Sequence, residues 1–138
     1  MKKKVLAVVL AVTAVMAMSL SVYAYANYQV GYETIWIAAG SSYTGGLYIN
    51  GPRTAAADTT ISPQGLDYAF GVSVSANSEE GSAYDNDDDY FMEYSQLNVS
   101  ATADGDMSHA SSSHWAQVII NGYTYTGDGL GFSWPEAN

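Results

Sequence analysis

Tyr68-Ala69-Phe70-Gly71-Val72-Ser73-Val74-Ser75-Ala76 puts Tyr, Phe, Val and Val at even positions and Ala, Gly, Ser and Ser between them. Side chains two residues apart on an extended chain share a face, so this stretch reads as a strand with one buried side. The same period of two governs the chain beyond residue 28. No window of a dozen residues carries the i, i+3, i+4 apolar spacing of an amphipathic helix. The predicted class is all-β.

Upstream, Val30, Tyr32, Trp36 and Ala38 share one face of a first strand, with Glu33, Ile35 and Ile37 on the other. The Gly/Ser stretch from Gly40 to Gly46 interrupts that pattern. Leu47 to Ile49 is a short apolar run ended by Asn50-Gly51-Pro52, and Thr54 to Ile61 reads as an edge strand closed by Ser62-Pro63-Gln64-Gly65. Downstream, Asp104-Gly105, Asn121-Gly122 and Asp128-Gly129 are two-residue hairpin signals. Together they set Phe91 against Val118, Tyr94 against Trp115, Ser95 against His114, Val118 against Tyr125, and Tyr125 against Phe132. One apolar row then crosses a C-terminal four-stranded meander, with Ile120, Tyr123 and Trp134 beside it. Such a sheet needs a cover, and the strands around Tyr32 to Ile37 and Tyr68 to Ala76 would supply it. The expected architecture is a two-layer antiparallel β-sandwich.

The N-terminus reads differently. Lys2, Lys3 and Lys4 precede an apolar run from Val5 to Met18 broken only by Thr13, and Ala24-Tyr25-Ala26 offers the small residues of a cleavage site. The run of about 14 residues is shorter than the ~20 that span a bilayer. Residues 1–26 are therefore expected to be a bacterial signal peptide, with 27–138 a single secreted domain. Tyr25 is the alternative mature start.

Removal of residues 1–26 leaves Arg53 as the sole Lys or Arg against all 14 carboxylates, a formal charge of −13. One arginine cannot neutralise the phosphates that nucleic-acid binding requires, nor hold the domain on anionic lipid. Cysteine is absent, which excludes disulfides, thiolate catalysis and cysteine-ligated metals.

Seven of the 14 carboxylates lie between Glu79 and Glu93. Asp85, Asp87 and Asp89 match the first three ligand positions of a calcium loop, but Tyr90 stands where that loop needs glycine and Gln96 where it needs glutamate. The run reads as a solvated acidic loop, with calcium as the alternative and no other cofactor expected. His109 and His114, five apart on one strand, point to opposite faces and cannot jointly clasp a metal. Ser95 beside His114 lacks the local signature of an activated nucleophile, so no catalytic residues are assigned and the chain reads as a non-enzyme.

The mature chain holds ten tyrosines and three tryptophans among many Ser, Gly and Asn residues, a composition suited to adaptable binding faces. Tyr90, Met92, Tyr94, Trp115 and Ile119 fall on the outer side of the meander and form the expected contact patch for an unknown protein or glycan. Ser108 to Val118, with its His, Ser and Ala-Gln-Val elements, faintly resembles the His/Ser-rich central strand of secreted bacteriocins of the lactococcin 972 type. That resemblance covers about a tenth of the chain, and the family's tryptophan-and-glycine start and basic content are missing. The expected function is binding, or a role at the bacterial cell surface. A bacteriocin-like or toxin-like effector comes second, and a small secreted hydrolase third.

Overall fold

The computed structural model describes residues 28–90 and 95–135. Among them the chain forms nine strands and no helix: β1 (Tyr28–Trp36), β2 (Ser42–Ile49), β3 (Thr54–Ser62), β4 (Asp67–Asn77), β5 (Ser82–Tyr90), β6 (Gln96–Thr102), β7 (His109–Ile120), β8 (Tyr123–Thr126) and β9 (Leu130–Trp134). One sheet has the order β1-β2-β3-β6. The other runs β5-β4-β7, with β8 and β9 sharing the far edge of β7. All pairings are antiparallel.

Alternation decides what lies between the sheets. Tyr43, Leu47 and Ile49 of β2, Ala55, Ala57 and Ile61 of β3, and Leu97, Val99 and Ala101 of β6 are buried from one side. Tyr68, Phe70, Val72, Val74 and Ala76 of β4 and Ala110, Ala116 and Val118 of β7 join them in one cluster from the other. Fully burying a side chain of Val, Leu or Phe size contributes roughly 1.5–3 kcal/mol, so this shared core dominates the stability. The buried face of β4 is the one its alternation predicts.

Of the three hairpin signals, Asn121-Gly122 is one. Both residues have positive φ, 52° and 80°, as a type I′ turn requires, and Ile120 faces Tyr123 while Val118 faces Tyr125. The four-stranded meander is not formed, because the two Asp-Gly pairs do not reverse the chain within a sheet. At Asp104-Gly105 the chain crosses from one sheet to the other, and neither residue has positive φ. The crossing is held by main-chain bonds from Ala103 N to Arg53 O, Met107 N to Pro52 O and Ser108 N to Asn77 O, and by Arg53, whose Nε and Nη2 both donate to Ala103 O. Val99 therefore faces Ala57, not Ala110, and Ser95 accepts from Ile61 N in the other sheet from His114. At Asp128-Gly129 the chain continues in the same direction, so β8 and β9 form one interrupted strand along β7. Gly127 N donates to Ala116 O at the interruption. Phe132 faces Ser112 and Trp134 faces Ala110.

Four further expectations are corrected. The β4 strand lies beside β7 in the same sheet, so it does not cover it. Thr54 to Ile61 belongs to β3, which is internal, between β2 and β6. Gly40 to Gly46 does not break the fold: Ala39 and Gly40, both at positive φ, turn β1 into β2, and Gly45 and Gly46 sit within β2. Tyr123 and Tyr125, on the short strand β8 whose four residues are all exposed, are not part of the buried row. Phe91, the first member of the expected apolar row, lies outside the described residues, as do the signal peptide and its cleavage site.

Candidate functional site

Because Phe70, Val72, Val74 and Ala76 point into the core, Ala69, Gly71, Ser73 and Ser75 point out of it. Directly opposed residues share a face. Across β4 and β5 this sets Tyr90, Asp88, Asn86 and Tyr84 outward, and across β4 and β7 it adds Gln117, Trp115, Ser113 and Ser111. The middle of that face is therefore floored by Gly and Ser, with aromatic rings rising at its ends. Tyr90 and Trp115 approach to 6.1 Å between ring centroids at a 50° tilt. The Trp115 indole lies over Gly71, where any Cβ would collide with its Nε1. A groove of about 270 Å³ runs between Tyr84, Tyr90 and Trp115, bordered by Asn86, Asp87, Asp88, Ser73 and Ser113.

Of the expected contact patch, Tyr90 and Trp115 are thus brought together, through β4 and not through a hairpin. Ile119 lies on the same outer side of β7, half-buried, two positions beyond Gln117. Met92 and Tyr94 lie outside the described residues. Tyr84, which is 67% exposed, was not among the expected residues. The signal for it was its even spacing from Tyr90, legible only once residues 82–90 are known to be extended.

The acidic run is a strand, not a loop. Asp85, Asp87 and Asp89 face Val74, Val72 and Phe70 on the inner side of β5, at the rim of the core. Two-residue steps along a strand are about 6.6 Å, which puts the outer pair roughly 13 Å apart and beyond joint reach of one ion. Among the described residues no three His, Asp or Glu side chains are placed to hold a metal. The carboxylates have another task. Asp85 accepts from Asn86 N through Oδ1 at 3.0 Å and from Ser100 N through Oδ2 at 3.1 Å, and Asp87 accepts from Asp88 N at 3.0 Å. These amides lie on the unpaired edges of β5 and β6, so Asp85 ties the open edges of the two sheets together. Asp89 is buried at 7% exposure.

A second hollow, of about 540 Å³, is lined by Arg53, Ser78, Glu79, Glu80, Asp104, Gly105, Asp106 and Ser108. It has no aromatic wall. Asp104 packs over Gly81 and Glu80 over Gly105, so its acidic side chains interlock the β4–β5 turn with the crossing loop. Larger volume does not outweigh that structural use.

His109 is exposed and His114 buried, so the two face opposite ways as expected. Nε2 of His114 lies 2.8 Å from Ser112 Oγ and Nδ1 lies 2.8 Å from Thr59 Oγ1. Thr59 Oγ1 in turn donates to Gly71 O, which assigns the Nδ1–H tautomer, with Ser112 donating to Nε2. Burial lowers the imidazole pKa to about 4, an effect only partly offset by a hydrogen bond to the Asp58 backbone. A neutral ring with both nitrogens engaged inside the core is a structural element, out of reach of substrate.

The chain matches no family model, no curated protein and no solved structure.

Proposed function

We propose that the protein is an exported β-sandwich that binds at the bacterial cell surface without catalysing a reaction, through the outer face of the β5-β4-β7 sheet. The single observation that carries this is the groove itself, with Tyr90 and Trp115 paired at one end and Tyr84 exposed at the other. Large rigid rings left in solvent over a small-residue floor are the composition of a contact surface. The N-terminal pattern of Lys2 to Lys4, apolar run and Ala24-Tyr25-Ala26 supports export.

Two measurements test the reading. Expressed in a bacterium, the chain should reach the medium with Asn27 or Tyr25 as its first residue by mass spectrometry; a product that keeps Lys2 to Lys4 removes the export half. The fluorescently labelled secreted protein should bind bacterial cells or their purified walls, and Trp115→Ala should release it. Equal binding by that variant places the contact elsewhere.

A further inference from the structure

We propose that the groove takes an uncharged or amine-bearing oligosaccharide, an assignment that rests on the reading of this face as the contact. The argument begins with spacing. Tyr84 and Tyr90 stand six residues apart on one strand, about 20 Å, and Trp115 meets the Tyr90 end. Both ring platforms cannot close on one small group. They can hold the two ends of a short chain lying across the floor.

The floor and rim supply the second constraint. A sugar ring offers an apolar C–H face on either side and a belt of hydroxyls that both donate and accept. Trp115, Tyr90 and Tyr84 provide apolar faces. Ser73, Ser113 and the tyrosine hydroxyls donate and accept, Asn86 does both through its amide, and Asp88, the carboxylate on this face, accepts only. An apolar peptide side chain would strand those polar groups. A few placed polar groups among rings instead describe a small-ligand site, its volume just under the ~300 Å³ at which such sites usually begin.

Charge supplies the third. Of the β5 carboxylates Asp88 stands on the groove face, with Asp85, Asp87 and Asp89 on the inner side of the same strand, and no Lys or Arg lines the groove. Uronic acids, phosphorylated glycans and nucleic acids would bring like charge to a carboxylate rim, whereas a neutral ring is tolerated and an ammonium group is attracted.

The test uses the secreted chain on intact bacterial cells and on a printed array of neutral, N-acetylated, amine-bearing, uronic-acid and phosphorylated oligosaccharides. Binding to cells should survive protease treatment and be lost after periodate oxidation, and array binding should fall in the neutral or amine-bearing classes. Trp115→Ala and Tyr84→Ala, checked for unchanged circular dichroism, should each weaken it about tenfold or more, while Tyr32→Ala on the other sheet should not. Cell binding that needs Trp115 but is lost to protease and resists periodate would overturn the oligosaccharide and leave the contact face standing. Preference for acidic glycans would also overturn it. Binding to cells and array that is indifferent to Trp115 would remove the contact face, and this assignment with it.

Discussion

The His114 imidazole occupies the space that a side chain at Gly45 would need: a Cβ there would lie 2.6 Å from the ring's Cγ. Gly45 belongs to β2 in one sheet and His114 to β7 in the other, so the contact spans the core. Gly31 of β1 makes the same allowance for Phe132 of β9, and Phe132 meets His114 edge-on at 5.7 Å between centroids. Two glycines of one sheet thus receive two rings of the other. This interlock sets how the sheets face each other, since rings of that size admit no lateral shift without collision.

Gly45→Ala should therefore destabilise the fold by about 1–3 kcal/mol, the usual penalty for forcing extra atoms into a packed core. Gly129→Ala is the control, because a Cβ there meets nothing within 4 Å. Denaturant midpoints of the two variants check this. Equal midpoints would mean that the ring does not rest on Gly45.

His114 also makes stability depend on pH. Its folded pKa, about 4, lies below the 6.5 of an unfolded histidine, so the unfolded chain binds the proton first. The contribution is complete above pH 6.5 and is lost as pH falls from there to about 4, at up to ~1.4 kcal/mol per unit and roughly 3 kcal/mol in all. Unfolding free energies of the wild type and His114→Gln, measured from pH 7.5 to 4, isolate that slope from the carboxylates common to both. Parallel curves would show that the ring is not buried neutral.

Legibility in the sequence followed locality. The β4 alternation and the Asn121-Gly122 turn depend on neighbours in the chain, and both were readable. Asp104-Gly105 and Asp128-Gly129 carry the same short-range signal, yet their conformation answers to distant partners: Pro52, Arg53 and Asn77 for one, the continuous edge of β7 for the other. Gly45 looked like an interruption because its reason, the His114 ring, comes from the other sheet. The acidic run looked like a loop because its inward positions lie at the rim of the core, where no apolar residue is demanded. At the groove, Trp115 and Tyr90 were readable from alternation alone, but their meeting through Gly71 needed the sheet order.

Asp85 offers a direct test of edge protection. Unpaired strand edges invite pairing with other chains, and here one carboxylate occupies an amide on β5 and another on β6. Asp85→Ala should cost about 1 kcal/mol, speed hydrogen exchange at the Ser100 amide and raise concentration-dependent association in sedimentation experiments. Asp85→Asn, which keeps an acceptor, should lie between the two. Unchanged exchange at Ser100 would break the assignment.

The same geometry predicts how the protein answers ions. Calcium needs several oxygens within about 2.3–2.6 Å of one point, whereas Asp85, Asp87 and Asp89 are strung along an extended strand. Asp85 already spends both oxygens on backbone amides, and turning them to a cation would expose two strand edges. The exposed carboxylates Asp85, Asp87 and Asp88 still repel one another, which any electrolyte screens, with a Debye length of about 10 Å at 0.1 M. Sodium chloride should therefore raise the melting temperature as far as calcium chloride at matched ionic strength. Asp87→Asn should raise it at low salt by removing one of the repelling charges, and the advantage should fade as salt is added. A calcium-specific rise that vanishes in Asp87→Asn would mean that β5 can rearrange into a site, and would refute the edge-binding role assigned to its carboxylates.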